Sequence, residues 1–190
     1  NNGSDTMLGG DGNDTFILWG GNNNVGKVID GGTGVNQLDA YGNANITGVT
    51  FSNIQTLDVG TTDSEVTLTR AQFNSISNLV AEGGQGMIVA ADGGVYDLTG
   101  KNITGSFNFN GWGGSPAEAK TFIGDSHGQT IFGSDGNDTL SGMGGDDTFN
   151  GNNGSDTMLG GDGNDTFILW GGNNNVGKVI DGGTGVNQLD

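Results

Sequence analysis

The sequence has no cysteine, which excludes disulfides and thiolate metal sites. His127 is its single histidine and Arg70 its single arginine. One histidine excludes the two-histidine zinc motif of metalloproteases. Proline occurs once, at Pro116, so collagen and proline-rich linkers are excluded. Only 5 residues are basic against 22 acidic, a formal charge of −17. That balance disfavours nucleic acid and anionic membrane as partners and favours cations. No run of 18 apolar residues occurs, so no membrane-inserted helix is expected. A starting Met, a basic leader and an apolar leader core are not seen, and the chain reads as a window of a longer polypeptide.

Glycine is what the sequence has in excess, 41 of 190 residues, roughly three times the usual share. It falls in a fixed phase. From Gly124 five nonapeptides run without a gap: GDSHGQTIF, GSDGNDTLS, GMGGDDTFN, GNNGSDTML and GGDGNDTFI. Position one is always glycine. Position six holds Gln129, Asp138, Asp147, Asp156 and Asp165, and position eight holds Ile131, Leu140, Phe149, Met158 and Phe167. Phe122 extends the apolar column upstream. A four-residue insert, LWGG (169–172), precedes NNNVGKVID and GGTGVNQLD.

The chain opens as it closes. Residues 1–39 and 152–190 are identical, 151 positions apart. The first copy therefore carries Asp5 and Asp14 at position six and Met7, Phe16, Ile29 and Leu38 at position eight. The layout is the tail of one roll (1–39), a middle module (40–123) and a whole roll (124–190). Identity that reaches surface positions points to a tandem array.

Spacing dictates chemistry. Six glycine-rich residues make a turn, because glycine tolerates positive φ and close backbone approach. The next three suit a short strand whose position-eight side chain points inward. Two nonapeptides make one coil, so turns on one edge are 18 residues apart in sequence and ~4.8 Å apart in space. Asp138 then stacks over Asp156 on one edge, and Asp147 over Asp165 on the other. Two carboxylates ~5 Å apart repel by about 1 kcal/mol in water and by more when partly buried. Calcium, with six to eight hard oxygen ligands, reverses that sign, and turn carbonyls supply further oxygens. No side-chain nitrogen or sulfur is offered for zinc or copper.

GGxGxDxUx is the repeat of the RTX family, and these residues resemble an RTX parallel β-roll. The resemblance implies calcium held between turns two units apart. Its ligands would be Asp138, Asp147, Asp156 and Asp165, with Asp5 and Asp14 in the first copy. Carbonyls of Gly133, Gly136, Gly142, Gly145, Gly151, Gly154, Gly160, Gly163 and Gly12 would complete the sets. Lys27, Lys178, Asn36, Asn187 and Gln129 depart from the aspartate position. The resemblance also implies type I export from Gram-negative bacteria.

Residues 40–123 lose the nonapeptide but keep a 22-residue echo. It aligns Phe51 with Phe73, Ile54 with Ile76, and Leu57 with Leu79. We expect about three wider solenoid coils here, with one helical turn at RAQFNSIS; an inserted β-sandwich is the alternative. The fold expected overall is all-β, a right-handed parallel β-solenoid.

GDSHG (124–128) matches the G-x-S-x-G nucleophile elbow, which needs a strand–turn–helix and a distant histidine. The only histidine adjoins Ser126, and the stretch lies in the nonapeptide register. No catalysis is expected. The expected function is a calcium-stabilised structural repeat of a large secreted protein (an adhesin stalk, surface layer or filament), extracellular or at the cell surface. Its partners would be adjacent repeats of the same chain and homotypic neighbours. The alternatives are a folding module of a secreted enzyme, or a glycan- or protein-binding adhesin module.

Overall fold

A computed structural model describes residues 3–21, 24–60, 64–170 and 175–190. Residues 171–174 of the insert and its following repeat lie outside that set. The chain is all-β and almost every strand pairs in parallel. No helix among the described residues is long and apolar enough to cross a membrane. Two compact units form, Asn1–Ile88 with Gly100–Gly105, and Val89–Thr99 with Ser106–Asp190.

In the first unit the strands are β1 (Thr6–Leu8), β2 (Thr15–Trp19), β3 (Val28–Asp30), β4 (Gln37–Tyr41), β5 (Ala44–Asn45), β6 (Thr50–Ser52), β7 (Thr56–Asp58), β8 (Glu65–Leu68) and the start of β9 (Asn78–Ala90). One parallel run is β1–β3–β6, and a second is β2–β4–β7–β9. The second run stacks Phe16, Leu38, Leu57 and Leu79 in one inward column. Leu57 meets Leu79 as the 22-residue echo predicts. No β-sandwich forms among the described residues.

The echo misleads at one point. The segment 22 residues beyond β6 is not a strand but the helix α1 (Arg70–Ser75), as the helical-turn expectation had it. Thr69 caps it: its Oγ1 accepts from the Gln72 N–H, and the Gln72 side chain returns to the Thr69 N–H. This reciprocal cap satisfies two end donors. Phe73 is buried from the helix, not paired as a strand residue with Phe51.

The second unit repeats more tightly. Its strands are β10 (Gly94–Asp97), the end of β11 (Asn102–Asn110), β12 (Lys120–Ile123), β13 (Thr130–Phe132), β14 (Thr139–Gly144), β15 (Thr148–Asn150), β16 (Thr157–Asp162), β17 (Thr166–Phe167), β18 (Val179–Asp181) and β19 (Gln188–Leu189). Sheet β10–β12–β14–β16–β18 stacks Tyr96, Phe122, Leu140, Met158 and Ile180. Sheet β11–β13–β15–β17–β19 stacks Phe109, Ile131, Phe149, Phe167 and Leu189. Thr121↔Thr139↔Thr157 steps by 18 residues, as two nonapeptides per coil require. The LWGG insert widens the next step, to Thr157↔Val179 and Thr166↔Gln188.

From Phe122 to Phe167 the position-eight residues are buried. Each such side chain contributes about 1.5–3 kcal/mol by leaving water. The Phe149 and Phe167 rings stack with centroids 5.0 Å apart, 9° from coplanar. The core is thus a pair of apolar ladders, and the turns between them carry the polar chemistry.

Candidate metal centre

The coil places position six just before each strand, at the corner where the turn closes. Asp138, Asp147, Asp156 and Asp165 are all buried there. The Asp138 N–H donates to Asp156 Oδ1, and the Asp147 N–H to Asp165 Oδ1, each at 2.9 Å. The structure therefore brings together the two aspartate pairs expected from the spacing, one pair on each edge. Gln129 and Asn187 extend the second edge: the Gln129 N–H donates to Asp147 Oδ1 at 2.7 Å, and the Asp165 N–H to Asn187 Oδ1 at 2.9 Å.

Position-one glycine follows from this geometry. A Cβ at Gly133, Gly142, Gly151 or Gly160 would lie less than 3.0 Å from Oδ2 of the aspartate five residues on. The same spot faces the next coil's backbone. It lies 2.9 Å from the Gly160 carbonyl at Gly142, and 2.6 Å from the Gly182 carbonyl at Gly160. At Gly133, Gly142 and Gly160 the missing side chain leaves a hollow into which a carboxylate oxygen and a carbonyl oxygen converge; at Gly151 the Asp156 side chain fills it. At position four, Gly145, Gly154 and Gly163 have positive φ and press against the backbone of the coil before; Gly12 has positive φ and open space, and Gly136 abuts Ala119.

The two edges differ in how their carboxylates are satisfied. On the first, Asp138 Oδ2 accepts from the Ser134 N–H and Oγ, and its Oδ1 from the Lys120 N–H. Asp156 Oδ2 accepts from Lys178 Nζ. On the second edge, Gln129 Oε1, Asp147 Oδ2 and Asp165 Oδ2 are buried with no hydrogen-bond partner among the described residues. Asp14 Oδ2, in the first copy, is the same. An unpartnered buried oxygen costs about 1–3 kcal/mol, and more when charged. Burial accordingly pushes the carboxyls of Asp138, Asp147 and Asp165 above the ordinary range, Asp147 to about 7.

Orphaned carboxylate oxygens beside carbonyls, with no nitrogen in the set, fit a hard cation. No three His, Cys, Asp or Glu side chains gather anywhere among the described residues. Any ion held here must take backbone carbonyls as well. A family model described as RTX calcium-binding nonapeptide repeat (4 copies) matches residues 1–25, 123–158 and 141–176. Those segments carry nonapeptide repeats of the RTX type. No curated protein and no solved structure matches the chain.

Upstream of the matched RTX segment, one more nonapeptide follows the same plan. SPAEAKTFI (115–123) puts Lys120 at position six, and its Thr121 and Phe122 stand one 18-residue step before Thr139 and Leu140. Sequence reasoning followed only Phe122, because Ser115 and Glu118 replace the marker glycines. Asp5 in the first copy pairs with Lys27 at 2.6 Å, and that contact holds its carboxyl below the usual range. GDSHG lies between β12 and β13, where the His127 Nδ1 sits 3.0 Å from Asp125 Oδ1. Trp19 is half-exposed and packs on Tyr41, ring centroids 5.2 Å apart.

Proposed function

We propose that this chain is a calcium-stabilised structural repeat of a large secreted protein, a stalk, surface layer or filament, that completes its folding outside the cell. The observation that carries this reading is the set of buried, unpartnered Oδ2 atoms of Asp14, Asp147 and Asp165, each beside a position-one glycine. These aspartates would hold calcium together with the Gly31, Gly160 and Gly182 carbonyls that face the same hollows. When bound, calcium supplies the charge and the hard-ligand coordination that the carboxylates lack.

The protein's own residues do the rest. Backbone N–H groups of Gln129 and Asp147 fix the Oδ1 atoms of Asp147 and Asp165, leaving Oδ2 free to bind. Backbone hydrogen bonds between parallel strands set the coil spacing, and the Ile131, Phe149 and Phe167 column fills the core between them. Binding to the folded coils alone adds to folding free energy by mass action. An unfolded chain where calcium is scarce and folded coils where it is millimolar suit export by a type I machine. Stacking on adjacent repeats of the same chain gives each coil its partner.

Circular dichroism during a calcium titration, with magnesium as control, tests this reading. We expect a cooperative gain of β-structure at sub-millimolar to millimolar calcium, absent with magnesium. A β-spectrum that chelator leaves unchanged would remove calcium from the folding mechanism.

A further inference from the structure

Lys27 and Lys178 occupy position six, where the repeat has an acid. Both side chains are only 3% exposed. Lys178 Nζ donates to Asp156 Oδ2, to the Asn152 carbonyl at 2.8 Å and to the Gly154 carbonyl at 3.2 Å. An ammonium has three N–H donors, and three oxygens receive them. In the first copy Lys27 Nζ donates to Asp5 Oδ2 at 2.6 Å and to the Gly3 carbonyl at 2.9 Å. Gly3 is the counterpart of Gly154 in the 151-residue period, so one arrangement occurs twice.

A carboxylate Oδ2 with turn carbonyls is the kind of oxygen set that the opposite edge leaves open. Here an ammonium fills it. We propose that Lys178 and Lys27 are built-in cations that take the place of a metal ion at Asp156 and Asp5, so that metal binding is confined to Asp147 and Asp165 in the second unit and to Asp14 in the first. The rest of the Asp156 edge is closed too. Ser134 saturates Asp138, and the buried Lys120 ammonium is spent on the Ser115 and Glu118 carbonyls. One edge is thus wired by side chains and the other is left for calcium. The inference rests on the calcium reading above.

The test is calcium bound per chain, by equilibrium dialysis of the full 190-residue protein, in wild type, D156N, D165N and K178M. We expect D156N to keep the wild-type count, D165N to lose at least one equivalent, and K178M to gain one. Loss of an equivalent in D156N, or no gain in K178M, overturns the proposal. If wild type binds no calcium, the calcium reading falls by itself. A calcium site present only in K178M would still uphold the lysine assignment, and its absence would end it. If K178M is unfolded in chelator, folding restored by calcium but not by magnesium supports the proposal, and folding restored by neither overturns it.

Discussion

A methyl group at Gly142 would drive into Asp147 Oδ2 and come within 2.9 Å of the Gly160 carbonyl. At Gly144, in the same strand, the nearest atom to such a methyl is 3.6 Å away. These two glycines make a matched pair. G142A must swing the carboxylate out of its hollow and break its bond from the Gln129 N–H. It should cost about 1–3 kcal/mol, the usual penalty for a disrupted buried polar group, and weaken calcium binding with it. G144A should stay within about 0.5 kcal/mol. Urea unfolding at saturating calcium checks both, and equal losses would refute the hollow. The sequence showed that position one needs glycine and assigned it to positive φ and close backbone approach. The larger constraint is a side chain folding back over its own turn, which a pattern of letters does not display.

At the scale of the coil, the apolar ladder is the legible part. A period of nine with one apolar residue at position eight has one compact solution, and Ile131, Phe149 and Phe167 fall on it. F149A removes the middle ring of that column, which stacks on Phe167 at 5.0 Å. The loss should be about 3–5 kcal/mol, typical for a buried phenylalanine, read as a shifted urea midpoint. A loss below about 1 kcal/mol would mean that the ladder is not the coil's main support. Two coil features escaped the sequence. Lys120 fills position six of a coil whose glycine markers are gone. Lys178 read as a missing ligand, because type and position were visible while reach was not. Its stem crosses one strand spacing, ~4.8 Å, to the acid 22 residues earlier. The opposite failure occurred at Phe73, where a true 22-residue echo ran into a capped helix that local hydrogen bonds favour.

For the molecule as a whole, identical sequence meets different surroundings. Leu38 is 0% exposed under β7, whereas its duplicate Leu189 is 61% exposed. Burial here belongs to the neighbouring coil rather than to the residue, as in any stack of repeats. The same logic governs charge. Asp138, Asp147 and Asp165 have raised pKa values in the fold because burial disfavours their ionised forms. The unfolded chain ionises them near the ordinary 3.8, the folded calcium-free chain only higher, near 7 for Asp147. Between those values the fold binds more protons than the unfolded state, so calcium-free stability must fall as pH rises through that window. It is greatest below about 4 from these groups, and the cost of Asp147 is felt in full above about 7. Calcium inverts the slope, because it requires the ionised carboxylates. Melting in chelator should therefore occur at a higher temperature at pH 5 than at pH 8, and in millimolar calcium the order should reverse. D147N, which cannot ionise, should flatten the chelator slope. A calcium-free chain that gains stability from pH 5 to 8 would show that Asp147 and Asp165 are satisfied within the fold and await no cation.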